Sequence, residues 1–439
     1  MFPLVHTLLF RWRNSPALRN VAWLAAEKAL RLVLVTGVGF WVARHLGPGR
    51  YGILVTATAL VGLFQPLAEL GLEALARRQF LAATATVPRL ATTVLLLRLA
   101  SAACALVVLA TVVGWGGIGG EERRLLVILA PLLFQPGFWL ADSWLQTRLE
   151  ARIAVLALVA ATLAGALARV MLILGDAPLA GFAAVAVMEV SFGALLLAWA
   201  AHRRGFRYGH FDSVLARRLL REAWPLLLSG FAVMAYLRTD VVMLRWMNGD
   251  RAAGIYTAAT RLTEVWYFVP GAVAASLLGT LLAARAAGRR IYEDRMQSFY
   301  DLNAGLAFGL GLPTALLSPW IVRLAFGEPY AEAAPVLCWL AGTLVFIFLG
   351  VARGQYLVNE GYTGFYLAST VAGLLSNVGI NLVLIPRYGA CGAAAATLVA
   401  QAVATWLSTF CFAPVRANAW MQTRALLIPF RWYAYVRRT

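Results

Sequence analysis

Apolar residues along this chain run in long blocks, each separated from the next by a short cluster of glycine, proline or arginine. A helix needs roughly 20 mostly apolar residues to cross a bilayer's hydrocarbon core. On that rule the pattern predicts about twelve spans, at 21–43, 52–75, 92–114, 125–146, 154–174, 179–201, 223–247, 253–284, 299–322, 333–354, 362–385 and 389–413. Pro66, Pro136, Pro225, Pro270 and Pro313 fall inside them, which membrane helices tolerate when neighbours re-satisfy the freed backbone groups.

Composition agrees with the pattern: 61% of residues are hydrophobic, 13% are charged, and mean hydropathy is +0.75. A chain of this size with so little polar surface is an integral membrane protein of the all-α class. The net charge of +18 would suggest nucleic acid in a soluble chain, but here it sits in short loops between apolar spans. Counted loop by loop, 24 arginines fall with the two termini and the even-numbered loops, and 7 fall in the opposite set. That asymmetry predicts cytoplasmic termini. The four cysteines, Cys104, Cys338, Cys391 and Cys411, are scattered through apolar segments and read as small core residues, with no disulfide and no metal site. The first residues, MFPLVHTLLFRWRNS, read as an interfacial lead-in and not as a signal peptide.

The longest stretch that does not span, HRRGFRYGHFDSVLARRLLREAW, divides the chain into two sets of six spans. The predicted organisation is an interfacial N-tail (1–20), a first lobe (21–201), a basic linker (202–222), a second lobe (223–413) and a basic aromatic tail (414–439). The halves echo each other. GPGRYGILVTATALVGLFQP after the first span matches NGDRAAGIYTAATRLTEVWYFVP after the seventh, and LAGFAAVAVME opening the sixth matches ACGAAAATLVAQ opening the twelfth. Two matches at corresponding places point to a parallel repeat, two six-helix bundles around a central cavity.

The same segments carry a family resemblance. ARHLGPGRYGILVTATALVGLFQPLAELGL resembles the first two helices of the bacterial oligosaccharide flippases of the polysaccharide biosynthesis family, the Wzx type that handles O-antigen and exopolysaccharide repeat units. YLRTDVVMLRWMNGDRAAGIYTAATRLTEVWYFVPGAVAASL is similar to that family's seventh and eighth helices, and IPRYGACGAAAATLVAQ fits its end; Gly279 stands where the pattern has proline. The family belongs to the superfamily of multidrug extruders and lipid II flippases. The resemblance implies a transporter, not an enzyme, in the bacterial inner membrane. It would move an undecaprenyl-pyrophosphate-linked oligosaccharide from the cytoplasmic to the outer leaflet by alternating access. Its partners would be membrane lipids and a polysaccharide polymerase, with no cofactor and with a proton or Na⁺ gradient as candidate driving force.

The residues themselves lead to compatible chemistry. Lys28, the only lysine, and Arg31, Arg98, Arg169, Arg238, Arg245 and Arg261 lie inside spans. Each would cost about 2.5–3.5 kcal/mol facing lipid at mid-bilayer, so each should face a wet cavity or a partner. A lipid pyrophosphate needs such cations, and arginine's fork can hold phosphate oxygens bidentately. Lys28, Arg31, Arg98, Arg169, Arg238 and Arg261 are therefore the substrate-binding candidates, with interhelical ion pairing as the competing reading. Arg245, nearer a helix end, should snorkel. Glu69, Asp142, Glu189, Asp240 and Glu264 are the embedded acids. Asp240, Glu264 and Glu69 are candidates for ion coupling or counter-ion duty. RWYAYVRR at 431–438 reads as an interfacial anchor.

Three other classes fit less well. A multidrug extruder would want an acidic cavity, whereas embedded cations here outnumber mid-span acids. A glycosyltransferase or polymerase would want catalytic groups on a large outer loop, and no Walker A, GxSxG, HExxH or DxD pattern stands out. Embedded charges in both lobes speak against a non-transporting scaffold.

Overall fold

The computed structural model describes residues 16–82, 87–115 and 119–431; of the side chains before Leu30, it describes those of Trp23 and Glu27. Most of the expected N-tail, the aromatic tail beyond residue 431 and the side chain of Lys28 lie outside the described residues. The regular structure of the described residues is helical, without a strand. The principal helices are α1 (Pro16–Glu69), α2 (Leu72–Ala82), α3 (Val87–Trp115), α4 (Gly120–Leu129), α5 (Leu140–Thr147), α6 (Ala151–Leu174), α7 (Leu179–Arg203) and α8 (Ser213–Asn248). They continue with α9 (Asp250–Glu264), α10 (Phe268–Ala287), α11 (Arg289–Leu316), α12 (Ser318–Phe326), α13 (Ala333–Asn359), α14 (Thr363–Ala402) and α15 (Arg416–Leu426).

Nine helical stretches among the described residues are long and apolar enough to cross a membrane, and α11 with α12, bent by 72°, makes a tenth. Two of these are folded pairs. α1 breaks at Gly47 (φ 70°, ψ 166°) and α14 at Gly389 (φ 54°, ψ −132°). An L side chain seldom adopts such angles, so glycine lets the chain turn without an intervening loop. With each arm counted separately the described residues hold twelve spans, as the apolar blocks predict. α10 runs unbroken through Gly279, where the missing proline would otherwise have bent it.

The chain forms two compact units. One comprises residues up to 45 and 57–234; the other comprises 46–56 and 235–439. In the first, Leu72, Phe80, Val94, Leu140, Trp144, Leu197, Phe206 and Leu219 build the core. The linker is part of this packing. Gly209 donates its N–H to the Pro88 carbonyl at 3.0 Å, and the Phe206 ring packs tilted against Trp144 with centroids 5.2 Å apart. In the second, α13 runs through the centre, with Leu344, Phe348, Leu349 and Leu357 buried against Phe299 and Tyr300 of α11.

Small residues bring α6 and α7 together: a Cβ on Gly193 would meet that of Ala161 at 3.3 Å. Without a hydrophobic drive between helices in lipid, close approach of small residues supplies the packing. The large side chains of the same helices, Leu167, Met171, Leu195 and Trp199, point outward and are more than 60% exposed, as lipid contact requires.

Candidate functional site

The fourth span shows how the first unit employs its charges. Between α4 and α5 the helix tightens into a 3₁₀ turn at Ala130–Phe134 and a short turn carrying Pro136. This leaves backbone carbonyls to be satisfied at membrane depth. Gln65 Nε2 donates to the Leu132 carbonyl at 3.0 Å, and Arg98 Nη1 to the Pro136 carbonyl at 2.7 Å. Arg98, 1% exposed, also donates through Nη2 to Glu73 Oε2 at 2.8 Å. Glu73 in turn accepts Arg77 Nε at 2.7 Å and the Ser143 hydroxyl. Arg98 is thus committed to holding a broken helix in place.

The other first-unit candidates also meet acids. Arg169 Nη2 sits 2.7 Å from Glu189 Oε2, clamping α6 to α7. Gly165 makes room for it, since a Cβ there would lie 2.5 Å from that oxygen. Arg31 pairs loosely with the buried Glu27, one helical turn back, at 3.7 Å. Lys28 lies on the same turn of backbone. Glu69 lines a polar cavity of about 230 Å³ with Gln65, Glu73, Gln135, Asp142 and Ser143.

The second unit holds two distinct centres. Asp240 of α8 is 4% exposed and meets no cation among the described residues. Its Oδ2 accepts the Tyr256 hydroxyl at 2.7 Å and the Thr397 hydroxyl at 2.8 Å, and its Oδ1 accepts Asn381 Nδ2 at 2.6 Å. Asn377, one turn from Asn381, accepts a hydrogen bond from it at 3.0 Å. Asn381 Oδ1 and Asn377 Nδ2 are buried without a hydrogen-bond partner among the described residues. An amide flip exchanges oxygen and nitrogen at the same place. One carboxylate, two hydroxyls and two amides from α8, α9 and both arms of α14 therefore offer an oxygen-rich, singly charged nest. That donor set suits a small hard cation or a proton. No three His, Cys, Asp or Glu side chains converge on a metal-binding geometry among the described residues.

The second centre has the opposite sign. Arg261 Nη1 lies 3.2 Å from Glu264 Oε2 and also interacts with the Tyr51 phenol. Arg238 feels the same Glu264 and the repulsion of Arg261, and makes no ion pair within 4 Å among the described residues. Two guanidiniums around one carboxylate leave an excess positive charge. Arg245 is committed to Asp250 at the α8–α9 turn.

One cation escaped the reading of the sequence. Arg353 falls at the end of the predicted tenth span and counts there as a loop residue, yet α13 continues to Asn359 and buries it to 3% exposure. Its Nε donates to the Thr409 hydroxyl at 2.9 Å, its guanidinium lies 5.2 Å over the Phe365 ring, and Nη2 is buried without a hydrogen-bond partner among the described residues. Asn377 and Asn381 were also missed, although two amides four apart in an apolar span place both on one helix face.

A dozen membrane-spanning helices in two units, each with ionisable groups inside, is the architecture of a multi-pass membrane protein. Residues 17–276 match the family described as polysaccharide biosynthesis protein, and the chain belongs to that family. Among curated proteins it is 26% identical over 233 residues to an uncharacterized protein of Mycobacterium tuberculosis, covering 51% of this chain and 47% of that one. It is 24% identical over 196 residues to a probable low-salt glycan biosynthesis flippase of Haloferax volcanii, covering 44% and 41%. The match thus spans about half or less of the length of these curated relatives. Among solved structures it shares its fold with the lipid II flippase MurJ in an inward closed conformation, with a TM-score of 0.72, 13% identity and 94% and 93% coverage. The fold is shared also with an inward-facing multidrug resistance MATE family transporter of the MOP superfamily, with a TM-score of 0.70, 17% identity and 93% and 99% coverage.

Proposed function

We propose that this protein is a flippase. It carries an undecaprenyl-pyrophosphate-linked oligosaccharide from the cytoplasmic to the outer leaflet of the bacterial inner membrane by alternating access, with both termini cytoplasmic. The observation that carries this reading is the cationic centre of Arg238 and Arg261 around the single acid Glu264. At membrane depth an uncompensated guanidinium is costly until an anion meets it, and a pyrophosphate supplies one with bidentate geometry. Family membership and the flippase named among the relatives support the same direction of reading.

The oxygen nest at Asp240 is the coupling site in this account. A Na⁺ ion or a proton neutralises the carboxylate in one state and leaves in the other. Moving one charge down a 100 mV potential releases about 2.3 kcal/mol, enough to bias a two-state cycle.

The test is binding of a short-chain polyprenyl pyrophosphate to the purified protein in detergent. Arg238→Gln should weaken it about tenfold to a hundredfold, since a hydrogen bond to a charged group contributes about 1.5–3 kcal/mol. Unchanged affinity, or a preference for lipophilic cations over the anion, would overturn the reading.

A further inference from the structure

The cavity of about 230 Å³ in the first unit contains more acid than its arginines neutralise. Three carboxylates line it, from Glu69, Glu73 and Asp142, and Arg77 lies on the same wall. Glu73 takes both nearby guanidiniums, at 2.7 Å from Arg77 and 2.8 Å from Arg98. Glu69 and Asp142 form no ion pair within 4 Å among the described residues. Asp142 is only 6% exposed; its Oδ2 accepts Gln146 Nε2 at 2.8 Å, while its Oδ1 is buried with no hydrogen-bond partner among the described residues. Trp139 Nε1, from the same cavity wall, is a buried donor with no partner. A carboxylate oxygen and an N–H without partners thus belong to residues of one cavity wall, and the cavity volume holds several waters at about 30 Å³ each. Arg77 is 44% exposed, so that wall opens to the surface of the unit.

We infer that this cavity is a hydrated proton-exchange site in the first unit, with Asp142 as the carrier, separate from the Asp240 nest. An unpaired buried carboxylate is unfavourable, and adding one proton removes the charge while turning the orphan oxygen into a hydroxyl that can donate to cavity water. The proton comes from the bulk solution, relayed by cavity water, and returns to it by the same route, so no other reactant is needed. The charged groups that face Asp142 are Arg77 and Glu73 of α2 and Glu27 of α1, beside Gln146 on its own helix. Because Glu73 is held by Arg98, Arg77 and Ser143, it stays ionised as the fixed member of the set. Asp142 is the member that changes charge.

The test needs no lipid substrate, so its failure is distinguishable from failure of the flippase reading. The purified full chain is titrated from mildly alkaline to mildly acidic buffer, with a pH dye counting protons and infrared difference spectra following protonated carboxyl groups. Asp142→Asn should remove one bound proton per molecule and one protonated-carboxyl band, and Asp240→Asn should leave that band in place. Glu69→Gln should keep the band as well. Identical proton counts and spectra in wild type and Asp142→Asn would overturn the assignment, as would loss of the band in Glu69→Gln with retention in Asp142→Asn. If Asp142→Asn fails to fold, the Asp240→Asn/Glu69→Gln double variant decides: a titrating carboxyl band that persists there supports Asp142, and absence of any band that titrates in this range contradicts the proposal.

Discussion

At the scale of single residues, the embedded charges divide by what answers them. Arg98 is enclosed by a carboxylate and a carbonyl, and Arg98→Ala would leave Glu73 and the Pro136 carbonyl short of donors inside the first unit. Removing one partner of a buried pair costs about 3–5 kcal/mol. The expected result is a marked fall in thermal midpoint in detergent, with lipid pyrophosphate affinity per folded molecule unchanged. Asp240 predicts the reverse: Asp240→Asn should fold like wild type, because Tyr256, Thr397 and Asn381 can still bond to an amide, but its transport should no longer respond to an imposed Na⁺ or proton gradient. Most of these residues were legible as embedded charges because an ionisable residue in a 20-residue apolar block stands out. Their partners were not. Glu73 lies beyond the Leu70–Gly71 turn, at the end of the predicted second span, and only the folded chain brings it to Arg98. Arg353 was missed because the apolar block ends before the helix does.

At the scale of elements, close backbone contacts decide which glycines matter. A Cβ on Gly254 of α9 would lie 2.0 Å from the Pro48 carbonyl oxygen, and one on Gly52 1.8 Å from that of Asp250, so α9 and the 46–56 segment touch through backbone. Overpacking of this kind costs about 1–3 kcal/mol, and more where backbone cannot give way. Gly254→Ala should therefore lower the thermal midpoint and the yield of folded protein. Gly279→Ala is the control: nothing lies within 4 Å, and replacing glycine within a helix should be neutral or stabilising by about 0.5–1 kcal/mol. The number of spans was readable from sequence because block length maps directly onto bilayer thickness. The break of the fourth span near Pro136 was not, since it depends on Gln65 and Arg98, distant in sequence, donating to the freed Leu132 and Pro136 carbonyls; nor was the 72° bend between α11 and α12.

At the scale of the whole molecule, the arginine distribution predicts that both termini face the cytoplasm, and a reporter fused after Thr439 should be active only if cytoplasmic. The central claim is transport, and translocation itself tests it most directly: a fluorescent undecaprenyl-pyrophosphate oligosaccharide in proteoliposomes, followed by accessibility of the label to an external quencher. The account predicts flipping at several times the protein-free rate, accelerated by a cation gradient and lost in Arg238→Gln. No faster flipping than in empty liposomes, across several such lipids and with either gradient imposed, would contradict it.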